Sequence, residues 1–216
     1  MLKAIIIIIA VLIVLAVAAF FFMMPRGAKL EDVAYLMEPR ITTMPAQNVI
    51  QVVAKGDPNI VAGDAIGLLF KTYYKIDGVP KHGKDMPAPK ARWQAQPGAP
   101  MSEWVGFFAM QIPENVTQLP QVESKAGLKA EIATWEYGEV AEILHIGSYQ
   151  SEQPTIEKLV NFIGENGYTI IGEHEEEYMK GPGMFFKGNP DKYLTIIRYR
   201  VAKTDTAAVV DTTQAI

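Results

Sequence analysis

The chain has 216 residues, a formal net charge of −4, a pI of about 5.5 and 49% apolar residues. That length holds one sizeable domain with appendages, and the acidic balance excludes a broad neutralising footprint on nucleic-acid phosphates. With no cysteine there are no disulfides, no thiolate metal sites and no cysteine nucleophile.

Residues 4–24 carry no charged or strongly polar side chain. As a helix rising about 1.5 Å per residue, the run spans about 31 Å, close to the thickness of a bilayer's hydrocarbon core. Its apolar character on every face suits lipid on every side, unlike the striped pattern of a soluble amphipathic helix. A cleaved signal peptide is the competing reading, with Ala16, Val17 and Ala18 as the cleavage motif. The run continues past that point through Phe20, Phe21 and Phe22, beyond the roughly 7–15 residues of a signal core, which favours a retained single-pass anchor. Lys3 faces Arg26 and Lys29 across the run, so charge leaves the orientation nearly tied. With almost no chain before it, the segment reads as a signal anchor that holds the domain at the cell membrane, outside the cytoplasm. Four regions are expected: an anchor at 1–27, a linker at 28–36, a domain at 37–203 and a disordered polar tail at 204–216.

Inside the domain, residues 49–56 are rich in β-branched side chains and end at Gly56-Asp57-Pro58, a strand followed by a turn. Asn59 is placed to cap a helix whose apolar positions Val61, Ala62, Ala65, Ile66, Leu69 and Phe70 share one face. A loop with Pro80, Pro87, Pro89, Pro97 and Pro100 follows, enclosing a short strand at 91–94 and leading to a longer one at 103–112. The second half opens with a strand at 128–135 and another at 140–146, where Gly147 stands as Gly56 did. Ile156, Leu159, Val160 and Ile163 mark a second helix, started by Pro154 and ended by Gly167. Residues 168–179 and 192–202 are strands joined through glycine- and proline-rich turns. The order strand, helix, strand, strand thus occurs twice.

His145-Ile146-Gly147-Ser148-Tyr149 at a strand end, a proline-initiated helix, Gly172 followed by Glu176 and Tyr178, and a strand ending Arg198-Tyr199-Arg200-Val201 together resemble the GyrI-like (gyrase-inhibitor-like) effector-binding domain. The similarity is strongest over residues 135–201. It implies an α+β fold of duplicated β-α-β-β half-domains, forming a curved antiparallel sheet with two helices on one face. It also implies a cleft between the repeats that takes small hydrophobic or cationic ligands, with Glu176 as the carboxylate projecting into it. Arg200 stands where the family usually has proline.

Side chains alternate along a strand, so His174, Glu176 and Tyr178 share one face, while Glu173, Glu175 and Glu177 share the other. A partly desolvated Glu176 beside Tyr178 would favour a cation by charge and by cation–π attraction. Trp93 and Trp104 are candidate cleft walls, and His145 is a candidate partner on the preceding strand. The expected ligand-binding set is therefore Glu176, Tyr178, Trp93, Trp104 and His145. A triad of His145, His174 and Glu176 follows no metal motif, so neither a metal nor a cofactor is expected. Ser148 lacks the glycine elbow of a serine hydrolase, and no P-loop or dinucleotide fingerprint occurs.

The sequence thus reads as a membrane-anchored module that captures a small hydrophobic or cationic molecule, with no nucleic-acid partner and more a binder than an enzyme. Three alternatives stand beside it: a hydrolase of a reactive small molecule using Glu176, an inhibitor-type domain contacting a protein through the acidic face of Glu173, Glu175 and Glu177, and a haem binder.

Overall fold

In the computed structural model, the structure describes residues 28–83, 85–95, 98–124, 127–182 and 188–204. The anchor expected at 4–24 and all but the first residue of the expected tail lie outside them. Among the described residues no helix is long and apolar enough to cross a membrane.

The elements run in the order α1 (Leu30–Val33), β1 (Arg40–Met44), β2 (Gln47–Lys55), α2 (Pro58–Tyr73), β3 (Lys90–Gln94), β4 (Val105–Gln111), β5 (Ala130–Trp135), β6 (Gly138–Ile146), α3 (Gln153–Glu165), β7 (Tyr168–Ile170), β8 (His174–Lys180) and β9 (Leu194–Lys203). Among the described residues all strand pairings are antiparallel, in the spatial order β1-β6-β9-β8-β3-β4-β2-β5, with β7 also paired to β9. The order reads the same from both ends once each strand is exchanged for its counterpart in the other half, with the symmetry point between β8 and β3. The opening strands are exchanged between halves: β1 pairs with β6, and β5 pairs with β2.

Directly paired residues on antiparallel strands point to the same face. Following the register, Val52, Phe108, Ala91, Glu176, Ile197 and Ile143 lie in one row across the sheet. The row's first three residues belong to the core under α2, with Ala65, Leu68 and Leu69, and its last two to the core under α3, with Leu159 and Ile163. Both helices therefore cover the same face, as the motif implied. Glu176 sits in the gap between the two cores.

The opposite face is buried as well. Val49, Ala109, Trp135, Tyr137 and Val140 form an apolar cluster there. Beside it Arg198 donates two hydrogen bonds to Glu142 Oε2, at 2.8 and 3.0 Å, and one to Glu175 Oε1 at 2.7 Å. Arg92 donates to Glu175 Oε2 at 2.8 Å, while its guanidinium lies 4.1 Å from the centre of the Trp135 ring. Lys90 reaches Gln47 and the Tyr137 hydroxyl, which itself donates to Glu175 at 3.1 Å. Burial works against the charge on Arg198, but Glu177, Glu175 and Glu142 together hold its pKa above the ordinary value. The face expected to present Glu173, Glu175 and Glu177 to a protein partner is thus not a free surface. Glu175 is buried and saturated, and Glu177 also accepts from Arg198 at 3.1 Å.

Three local readings change. The stretch read as a linker, 28–36, packs onto the sheet: Val33 and Leu36 are buried against Leu144, Leu194 and Ile196. Asp57, not Asn59, caps α2, its carboxylate accepting the Asn59 amide at 2.8 Å. The strand expected at 168–179 is interrupted at 171–173, where both parts still pair with β9 and the extra residues bulge out beside Arg200.

Candidate functional site

Glu176 and His174 are alternate residues of β8 and point to the helix side, so the strand itself sets them next to each other. His174 Nε2 lies 3.1 Å from Glu176 Oε1, and its Nδ1 lies 2.8 Å from the Tyr199 hydroxyl on β9. The third member comes from elsewhere. Chain leaving β6 makes a turn at Gly147 and a short 3₁₀ turn, Tyr149–Ser151, and delivers Glu152 at the start of α3. One ligating atom each from Glu152, His174 and Glu176 lies within 4.8 Å of the others.

Glu152 is 5% exposed, and its Oε1 has no hydrogen-bond partner among the described residues. Burial and the facing Glu176 carboxylate push its pKa up to about 8. Aromatic rings enclose the group. Tyr149 stands 5.5 Å from Tyr178, edge to face, and 5.5 Å from Tyr193. Burial first, and the Glu176 charge after it, push the Tyr178 phenol well above its ordinary pKa and the Tyr199 phenol up to about 12. The Glu176 carboxylate is therefore felt by Tyr149, Tyr178, Tyr199 and Glu152 at once.

Of the residues chosen from sequence, Glu176 and Tyr178 come together here. Trp93 is the register partner of His174, two residues along β3 from Ala91, which stands opposite Glu176. Its ring packs edge-on against Phe108 at 5.3 Å and lies 6.3 Å from Trp104. Trp104 donates its indole N–H to the Ala99 carbonyl at 3.2 Å. Trp93 also lines an open cleft of about 660 Å³ with Ala99, Glu103, Ile170, Ile171 and Glu173. Neither Glu176 nor Tyr178 is on its wall.

His145 does not join the group. It is buried at the end of β6, with Nε2 3.1 Å from the Ser148 carbonyl and Nδ1 3.0 Å from Thr155 Oγ1. A carbonyl only accepts, so Nε2 carries the proton and Nδ1 accepts from Thr155. Both ring nitrogens are satisfied, and His145 ties the turn to the helix. The triad imagined for His145, His174 and Glu176 is in fact Glu152, His174 and Glu176.

The residues that sequence reasoning missed are Glu152, Tyr149 and Tyr199. Tyr149 was in view as the last residue of the His-Ile-Gly-Ser-Tyr motif, and Pro154 fixed the start of α3 within two residues of Glu152. Nothing local shows that this turn folds back over β8.

No protein-family model matches the chain, and no curated protein sequence matches it. Solved structures do resemble it. An uncharacterized conserved protein from Listeria innocua superposes with a TM-score of 0.65 at 21% identity, over 80% of this chain and 97% of that one. A hydrolase from Listeria innocua gives 0.62 at 19% identity, over 86% and 97%. The C-terminal domain of EcmrR gives 0.53 at 14%, over 77% and 98%. These likenesses support the GyrI-like effector-domain fold implied by the motif.

Proposed function

We propose that the protein is a binding module for a small hydrophobic cation, held between the two repeats at Glu176. The observation that carries this reading is the convergence of the buried Glu152 carboxylate and the half-buried Glu176 carboxylate beside the rings of Tyr149, Tyr178 and Tyr199. Two carboxylates in a low-dielectric pocket repel one another, and a bound cation relieves that repulsion while its apolar body rests on the rings. Glu176 supplies the charge, Tyr178 and Tyr149 the faces, and Trp93 extends the apolar wall toward the open cleft. We place the module at the membrane through the apolar run 4–24, with the domain outside the cytoplasm, because that run has the length and composition of a spanning helix.

The test is thermal unfolding of the chain against a panel of aromatic cations and neutral analogues of the same shape. A ligand at 100 times its dissociation constant adds about 2.7 kcal/mol to stability. The reading expects a shift with cations that is lost in Glu176→Gln. A shift equally large with neutral analogues, or one that survives Glu176→Gln, sinks it.

A second reading, hydrolysis of a reactive small molecule, draws on the same carboxyl pair, one able to give a proton and the other to accept one. Glu176→Gln separates the two readings, since turnover would collapse while a neutral substrate would still bind.

A further inference from the structure

We infer that Glu152, His174 and Glu176 form a binding site for one divalent transition-metal ion of the Zn²⁺ type. The site goes beyond the organic-cation reading and shares Glu176 with it, so the two ligands compete.

The geometry alone invites a simpler account, in which His174 satisfies both acids. It cannot. The two ring nitrogens are already spoken for, Nδ1 by the Tyr199 hydroxyl at 2.8 Å and Nε2 by Glu176 at 3.1 Å. Even a doubly protonated ring leaves no proton for Glu152, whose buried Oε1 makes no well-formed hydrogen bond; the Thr195 hydroxyl acts on this carboxylate but is itself buried and unsatisfied. A buried polar atom without a well-formed partner is a standing cost to the fold. A single dication takes one lone pair from each of the three groups at once.

The arrangement around His174 fits this. When Nδ1–H donates to the Tyr199 oxygen, Nε2 turns its lone pair toward the two carboxylates, the pattern in which a second hydrogen bond fixes a metal-ligating imidazole. Bonds of about 2.1 Å put tetrahedral ligands about 3.4 Å apart. The observed spread, within 4.8 Å, closes to that by side-chain rotations of about 1 Å, and each residue is held by its backbone on β8 or at the start of α3. One imidazole nitrogen with two carboxylate oxygens suits Zn²⁺, Mn²⁺ or Fe²⁺ rather than Cu⁺ or an alkali ion. Three protein ligands also leave one position open, facing the tyrosine rings.

The experiment is a titration of the full chain with Zn²⁺ against a chromogenic chelator, paired with Co²⁺ absorption in the visible range. We expect one Zn²⁺ per chain and a Co²⁺ band, both lost in Glu152→Gln and His174→Ala. Tyr199→Phe, which removes only the group behind Nδ1, should weaken Zn²⁺ binding by about 10-fold. His82→Ala should change nothing, since His82 lies in the loop before β3. Circular dichroism of each metal-free variant shows that it is folded. No binding by the folded wild type, or binding indifferent to both Glu152→Gln and His174→Ala, overturns the site. An aromatic-cation shift without Zn²⁺ binding overturns the metal site and keeps the binding module. Zn²⁺ binding without any organic-cation shift does the reverse.

Discussion

Glu175 and Glu38 both sit in ion pairs, and their surroundings make them energetically different. The Glu175 side chain is 3% exposed and its partner Arg198 5%, whereas Glu38 and its partner Lys158 are 81% and 47% exposed. Removing Glu175 leaves Arg198 with Glu142 and Glu177 but strips Arg92 of its carboxylate, and breaking a buried pair costs about 3–5 kcal/mol, while an exposed pair is worth roughly 0–1 kcal/mol. Glu175→Ala should therefore lower the urea midpoint steeply at an unchanged slope, and Glu38→Ala should leave it nearly in place. Equal effects would mean that the Arg198 network is solvated after all. The alternation of β8 correctly separated Glu176 from Glu175 and Glu177. It was silent on which face is dry, because here both are. The charges at Arg92 and Arg198 that make burial of Glu175 tolerable come from two other strands, and no local pattern announces them. Glu152 escaped for the same reason: it belongs to the site through the path of a turn, not through its neighbours in sequence.

Helices and strands were easier to read than the breaks between them. The 3.6-residue spacing of Ile156, Leu159 and Ile163 located α3, and Leu159 and Ile163 are indeed its buried residues. The bulge between β7 and β8 was not legible, since its cause is the approach of Arg200, whose Cβ would lie 2.9 Å from a Cβ built on Gly172. β1 was missed because five residues with two threonines carry too weak an apolar pattern to stand out. The glycines after β2 and β6 were correctly paired, and the structure shows why: Gly56 and Gly147 adopt φ of 141° and 144°, a region that residues with a Cβ avoid. At Gly147 an added Cβ would also meet Ser151 Oγ at 3.0 Å and His145 Nε2 at 3.2 Å. Gly147→Ala should cost about 1–3 kcal/mol in denaturant unfolding and loosen the turn that carries Glu152, so ligand affinity should fall with stability. Full stability in this variant would show that the turn does not depend on that backbone shape.

The exchange of opening strands decides how the whole molecule holds together. The repeat is visible in sequence, which invites the idea of two half-domains that fold separately and then dock. The sheet does not permit it. Among the described residues, β1 lies in the first half of the chain but pairs only with β6, and β5 lies at the head of the second half but pairs only with β2. Each half alone would leave β1 or β5 without a partner and would strip one edge from β2 or β6. It would also lose the seam between β3 and β8, across which Arg92 meets Glu175. Exposed, unpaired strand edges favour association over independent folding. A chain divided at 128, into residues 28–128 and 129–204, should therefore give two fragments without cooperative unfolding by circular dichroism. Mixed at equal concentration, they should elute together and recover a single cooperative transition. Because the site takes Glu152, His174 and Glu176 from one fragment and its Trp93 wall from the other, ligand binding should return only in the mixture. A fragment that unfolds cooperatively alone would show that one repeat is a self-sufficient unit and that the strand exchange adds little to its stability.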